Sequence, residues 1–211
     1  VKHGRANLRV VSNAEELEEL SVWRGISVQT LEAAGIYRDG DWWVIPYPHL
    51  TGYWYERKRW AGEDGEWPSH LGKYLSPRKA QPHLYNPLGL GPNTDEVWFA
   101  EGEMDTLALI DAGLPAVGYP GVNTIVEYDN DDEGERTVHF RRSWTLLFKH
   151  CTVVAAGDMD SAGKAAIRSI LKAFRPNSYH FKVEDHDDIN DWHKADPEGM
   201  LAAIDEFRRQ R

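Results

Sequence analysis

The sequence predicts an α/β protein: an open parallel sheet covered by helices, preceded by a smaller α+β segment. Three observations lead there. From residue 97 onward short apolar runs alternate with helical stretches, the pattern of parallel strands joined by crossover helices. Before residue 92 the apolar runs are strand-like and are punctuated by Pro46, Pro48, Pro68, Pro77, Pro82, Pro87 and Pro92. Charge divides at the same place. Of 24 basic and 34 acidic residues, 11 of each fall in 1–92, leaving 13 basic against 23 acidic in 93–211. The net charge of -10 therefore belongs wholly to the second segment. Turn formers cluster in Asn86-Pro87-Leu88-Gly89-Leu90-Gly91-Pro92-Asn93, so the expected domains are 1–92 and 93–211.

Residues 14–22 suit a helix capped by Ser12 or Asn13, and 28–34 a second helix stopped by Gly35. Strands follow at 42–47 and 53–60 around a turn at 49–52. In the second segment strands are expected at 97–100, 115–118, 152–156 and 179–183. Helices are expected at 104–112, 141–148 and 161–174, and Pro197 opens a last one. Residues 126–140 read as an exposed acidic insertion. Asp129-Asn130-Asp131-Asp132-Glu133-Gly134 imitates the start of a calcium loop, but Phe140 stands where the bidentate glutamate belongs. Trp42, Trp43, Trp98, Trp144 and Cys151 are expected in the core, and His186 and His193 on the surface.

Cys151 is the only cysteine, which excludes a disulfide framework and a zinc ribbon. No apolar run approaches the ~20 residues of a membrane helix, and 1–10 has no apolar signal region. The expectation is a cytoplasmic protein with no membrane partner.

Open α/β sheets bind ligands at the carboxyl ends of their strands, and two such ends are loaded with acid. The strand at 97–100 runs into Glu101-Gly102-Glu103-Met104-Asp105. The strand at 152–156 runs into Gly157-Asp158-Met159-Asp160-Ser161-Ala162-Gly163. Asp158 and Asp160 are two apart and face one cation if the segment is extended; Glu101 and Asp105 share a helix face if the helix starts early. Carboxylates brought together repel unless a divalent cation lies among them, an arrangement suited to phosphodiester chemistry. A third acidic run, 184–191, follows the next strand and contains Asp188-Ile189-Asn190-Asp191.

Those three motifs, in that order and with Gly113 after the first, resemble the TOPRIM domain of DnaG-type primases, topoisomerases and some nucleases. The resemblance covers 97 to about 195. Arg24-Gly25-Ile26-Ser27 with Leu31 and Gly35, Lys73-Tyr74-Leu75-Ser76-Pro77 and Leu84-Tyr85-Asn86 are similar to the subdomain that precedes TOPRIM in bacterial and phage primases. The resemblance implies a Rossmann-like sheet behind a small α+β primase-type subdomain. It implies Glu101, Asp158 and Asp160 as catalytic residues, with Glu101 the general acid/base at a 3′-hydroxyl. It places Mg²⁺ or Mn²⁺ among Glu101, Asp105, Asp158, Asp160 and Asp188. The implied activity is primer synthesis on single-stranded DNA from nucleoside triphosphates, in a phage or mobile element, with a fused or separate helicase as partner. Asn190 departs from the aspartate that primases often carry there, and neither a zinc-binding domain nor a helicase phosphate loop occurs in these residues. The chain is then the catalytic piece of a larger protein or a stand-alone relative. A TOPRIM nuclease using the same carboxylates, or a non-catalytic nucleic-acid-binding replication factor, are the alternatives.

Tyr53-Trp54-Tyr55-Glu56-Arg57-Lys58-Arg59-Trp60 interleaves rings with cations. On a strand Tyr53, Tyr55, Arg57 and Arg59 share one face, which can stack bases and hold phosphates, or can be the packed face of a half-buried strand. With the resemblance behind it, the nucleic-acid path is expected along Tyr55, Arg57, Lys58, Arg59, Lys73, Arg78 and Lys79.

Overall fold

The computed structural model describes residues 14–48, 54–62, 66–78, 80–130, 136–183 and 185–211. The expected caps Ser12 and Asn13, the turn at 49–52, Tyr53 and Lys79 lie outside them. Two helices open the described chain, α1 (Ala14–Arg24) and α2 (Val28–Ala33). Ser27 caps α2 by accepting from the Thr30 amide. Then comes an antiparallel sheet, β1 (Tyr37–Asp39), β2 (Trp42–Pro48), β3 (Trp54–Trp60) and β4 (Tyr74–Leu75), in spatial order β1-β2-β3-β4.

The remainder alternates, beginning with β5 (Glu96–Glu101), α3 (Gly102–Asp111) and β6 (Ala116–Tyr119). A hairpin, β7 (Val126–Asn130) and β8 (Arg136–Phe140), and a short helix α4 (Arg142–Leu147) intervene. The chain continues as β9 (Thr152–Ala156), α5 (Ser161–Ala173), β10 (Ser178–His180), α6 (Ile189–Ala195) and α7 (Pro197–Gln210). β10-β9-β5-β6 is a parallel sheet in that order, as the alternation predicts. Two elements differ from expectation. The stretch 126–140 forms the paired hairpin, because Phe140 is buried against Phe99 and Phe174 and draws β8 onto the sheet layer. The third acidic run leads into α6, whose start is fixed by Asp188 accepting from the Asp191 amide.

Strand alternation divides the core. Val97 and Phe99 of β5 face one side, with Val153, Ala155, Ala166, Ile167 and Ile170. Trp98 and Ala100 face the other, with Met104, Leu107, Val154, Met200 and Ile204. The second cluster also contains Leu17, Leu20, Leu31, Trp43, Ile45 and Tyr47, so it crosses residue 92 without a break. A polar clasp reinforces that side. Asp111, at the end of α3, accepts from the Ser27 hydroxyl and amide, from Thr30 Oγ1 at 2.6 Å and from His193 Nε2 at 3.0 Å. His193 is therefore a buried tether between α6 and α3 rather than a surface residue. Trp43, Trp98 and Trp144 are buried as expected; Cys151 is half-buried, its thiol donating to the Thr94 carbonyl. No helix among the described residues is long and apolar enough to cross a membrane.

Trp98 is fully buried, with edge contacts to Phe181 and Phe207. Replacing it with Ala is expected to cost about 3–5 kcal/mol, read as a lower denaturant midpoint.

Candidate active site

The acidic residues gather at the carboxyl edge of the parallel sheet. Gly102 takes φ +79, a conformation that lets β5 turn directly into α3 and leaves Glu101 at the strand tip. Asp105 lies in the first turn of α3 and is buried, accepting from the Asn190 amide at 2.9 Å. Asp160 caps α5 through the Gly163 amide at 2.7 Å, and Asp188 caps α6 through the Asp191 amide at 2.7 Å. Three carboxylates are thus fixed by helix-start hydrogen bonds, each spending one oxygen on an amide. Gly163 is required as glycine, because a Cβ there would run into the carbonyl oxygen of Asp158.

The electrostatics show these groups sensing one another. Burial, then the charges of Asp158 and Asp160, pushes the Glu101 carboxyl up to about 7. Burial, then Asp188, Asp160 and Asp191, pushes Asp158 up to about 6. Asp105 is raised well above the ordinary range by burial and by Asp188, with which it shares a hydrogen bond. Asp191 is raised by burial and by Asp188 and Asp187, which adds it to the cluster although its sequence position marked it only as part of an acidic run. Among the described residues, however, no three Asp, Glu, His or Cys side chains already stand in an ion-holding arrangement.

Two further features border the cluster. Tyr119, opposite Glu101 in the β5–β6 register, is buried, and its hydroxyl has no partner among the described residues. A shallow depression of about 600 Å³ opens beside Asp191, lined also by Asp185, His186, Asp187, Lys194 and Ala195. His186 lies stacked on Trp192 at its rim.

The expected nucleic-acid path is rearranged. In the β2–β3 register Arg57 is opposite Ile45 and Arg59 opposite Trp43, both fully buried residues, so the Tyr55–Arg57–Arg59 face is the inner one. Tyr55 is 7% exposed and stacks on Tyr47; Arg59 is 1% exposed, its guanidinium over the Trp23 ring. Arg57 lies over Tyr74 and donates to Glu103 Oε1 at 2.6 Å. Tyr47 donates to the same oxygen. Glu103 is fully buried, and Oε2 has no partner among the described residues. This Arg57–Glu103–Tyr47 pin, which the sequence pattern did not announce, joins the antiparallel sheet to the helix that starts at the carboxylate edge. One local signal was present: Glu103 stands beside Met104, one turn before Leu107, in a helix with no basic residue of its own, so a buried glutamate there needs a cation from elsewhere. Lys58 pairs with Asp39 at 2.5 Å in solvent, Lys73 is half-buried and Arg78 is exposed.

The raised carboxyls set a pH dependence. The folded forms of Glu101 and Asp158 hold protons more tightly than the unfolded chain does. Their contribution to stability is full below the ordinary carboxylate range and is lost as pH rises through about 6 to 7. The metal-free protein is expected to melt at lower temperature at pH 8 than at pH 5.5, and a Glu101→Gln/Asp158→Asn double variant to flatten that slope in thermal scans. Glu103→Ala leaves Arg57 buried without its partner and is expected to cost about 3–5 kcal/mol in chemical denaturation.

No family model matches the chain. The Gene 57 protein of Mycobacterium phage D29 is 26% identical over 118 residues, spanning 56% of this chain and 68% of that one. Among solved structures, the primase fragment of the bacteriophage T7 primase-helicase protein superposes with a TM-score of 0.61 at 19% identity. That match covers 87% of this chain and 71% of the T7 fragment. The DnaG primase catalytic domain bound to single-stranded DNA gives 0.61 at 16% identity, over 92% and 74%. With its four-stranded parallel sheet between helices and its antiparallel sheet in front, this chain has the fold of the primase catalytic cores, the fold that its acidic motifs resembled.

Proposed function

We propose that the protein is a primase-like nucleotidyltransferase that joins nucleoside triphosphates into short primers on single-stranded DNA. The observation that carries this reading is the carboxylate cluster on the edge of a primase-core fold. Glu101 ends β5, Asp158 follows the neighbouring β9 and Asp188 caps α6, and the carboxyls of Glu101 and Asp158 are raised by burial and then by their acidic neighbours. An all-carboxylate donor set raised by burial and like charge suits a hard divalent cation, whose charge would offset the repulsion and favour the ionised carboxylates. Asp158 and Asp160, with Glu101, Asp105 and Asp188 beside them, would hold Mg²⁺ or Mn²⁺; the ion when bound neutralises phosphoryl oxygens and the departing pyrophosphate.

The rest falls to the chain's own groups. Glu101, at the tip of β5 beside Asp158 and Asp160, takes the proton of the attacking 3′-hydroxyl. The depression at Asp191 and His186 gives an incoming nucleotide a place beside the carboxylates. The amino ends of α3 and α5 point at the same edge and favour the negative charge gathered there. Template contacts fall to the exposed Arg78 and to Lys58 and Lys73, since the Arg57 and Arg59 face is inside.

The test is synthesis on single-stranded DNA with Mg²⁺ or Mn²⁺ and nucleoside triphosphates, with template cleavage followed in the same tubes. New short strands are expected and template loss is not; cleavage alone would replace this reading with hydrolysis by the same carboxylates. Asp158→Asn and Asp160→Asn are expected to lower synthesis at least 100-fold without lowering the melting temperature. Asparagine keeps the α5 cap while removing charge from a repelling cluster.

A further inference from the structure

In a segment with 23 acidic residues, α5 carries none. Lys164, Arg168 and Lys172 recur on it at four-residue spacing, so they line one face, and Arg175 follows just past its end. All four are exposed, and no ion pair or hydrogen bond engages their side chains among the described residues. Like charges four apart on a helix destabilise it by roughly 0.2–0.5 kcal/mol per pair, so this row costs the free protein something that a bound anion would return. The opposite face of α5 is packed through Ala166, Ile167 and Ile170, which fixes the row outward. Position matters as much as charge. α5 is capped by Asp160, so Lys164 is one turn from the carboxylate edge and the row leads away from it over about 12 Å. Successive cations are about 6 Å apart along the axis, close to the step between phosphates of an extended strand.

We propose that the outer face of α5 is a phosphate track for a single nucleic-acid strand, continuing the path of a strand held at the carboxylate edge. This rests on the primase-like reading and adds a second surface to it. With Arg57 and Arg59 inward, the first segment offers the template Lys58, Lys73 and Arg78, and the α5 row adds a second concentration of cations, which a chain of net charge -10 needs to bind nucleic acid. The track recognises backbone charge, so it carries no base preference.

The experiment titrates a fluorescein-labelled oligothymidylate with the full chain at several salt concentrations, for the wild type and for a Lys164→Gln/Arg168→Gln/Lys172→Gln variant. Loss of three phosphate contacts is expected to lower the slope of log affinity against log salt by about 2 and to weaken binding at low salt. Primer synthesis at saturating template should persist in the variant, which separates the track from the catalytic edge. Arg168→Gln alone is expected to lower the slope by about 0.7, and gives the same reading if the triple variant loses its cooperative melt. A triple variant with wild-type slope overturns the track and leaves the primase-like reading standing. A wild type that binds no oligonucleotide overturns both. Polyglutamate bound with the same dependence on the three cations, and oligonucleotide bound without it, would overturn the track in favour of an acidic protein partner.

Discussion

Like-charge repulsion at the carboxyl edge of the sheet is the constraint around which the molecule is arranged. Carboxylates cannot be gathered by attraction, so they are gathered by backbone. Each sits on a strand tip or a helix start, and the helix starts hold Asp160 and Asp188 through their own amides. Asp105 is held in the same way by the first turn of α6. Burial first, and then the residual repulsion, show in the raised carboxyls of Glu101 and Asp158. The large apolar clusters on both sheet faces keep the strand tips from moving apart.

The second constraint is the joint between the two sheets. Tyr47 and Arg57 approach Glu103 from neighbouring strands of the antiparallel sheet, and Glu103 is two residues from Glu101. Burial and its charged neighbour hold the Tyr47 phenol protonated, while Glu103 keeps Arg57 charged. Such a buried pair adds little net stability over an apolar contact. It does admit only one register of β3 against α3, because a shift of one residue would face Glu56 or Lys58 inward instead.

Much of this was readable in the residues. The alternation from 97 onward fixed the parallel sheet because apolar strands buried on both faces have no polar positions to confuse the pattern. The acidic strand tips were readable because sequence-local geometry carries them: Gly102, Gly163 and the capping aspartates all act within a few residues. What could not be read was long-range. Which face of β3 is buried depends on its register with Trp43 and Ile45, and the interleaving of rings and cations is the same in either case. The Asp111–His193 contact spans 82 residues, and nothing near either residue announces the other. The pairing of 126–130 with 136–140 was hidden by the acidic run in the sequence, while Phe140, which packs on Phe99 and Phe174, looked like a failed calcium ligand.

Asn190 shows how such a site restricts the changes open to it. Its amide nitrogen holds Asp105 and its side-chain Nδ2 donates to the Arg24 carbonyl at 2.7 Å, tying the end of α1 to α6 in a nearly solvent-free place. An aspartate here would set a carboxylate oxygen against that carbonyl and place another charge next to Asp105. The acidic residue is one nucleotide change away in the genetic code but several compensations away in the protein. A lineage that acquires it has to re-route the end of α1 first, because the acceptor is a main-chain carbonyl that no side-chain replacement at position 24 removes.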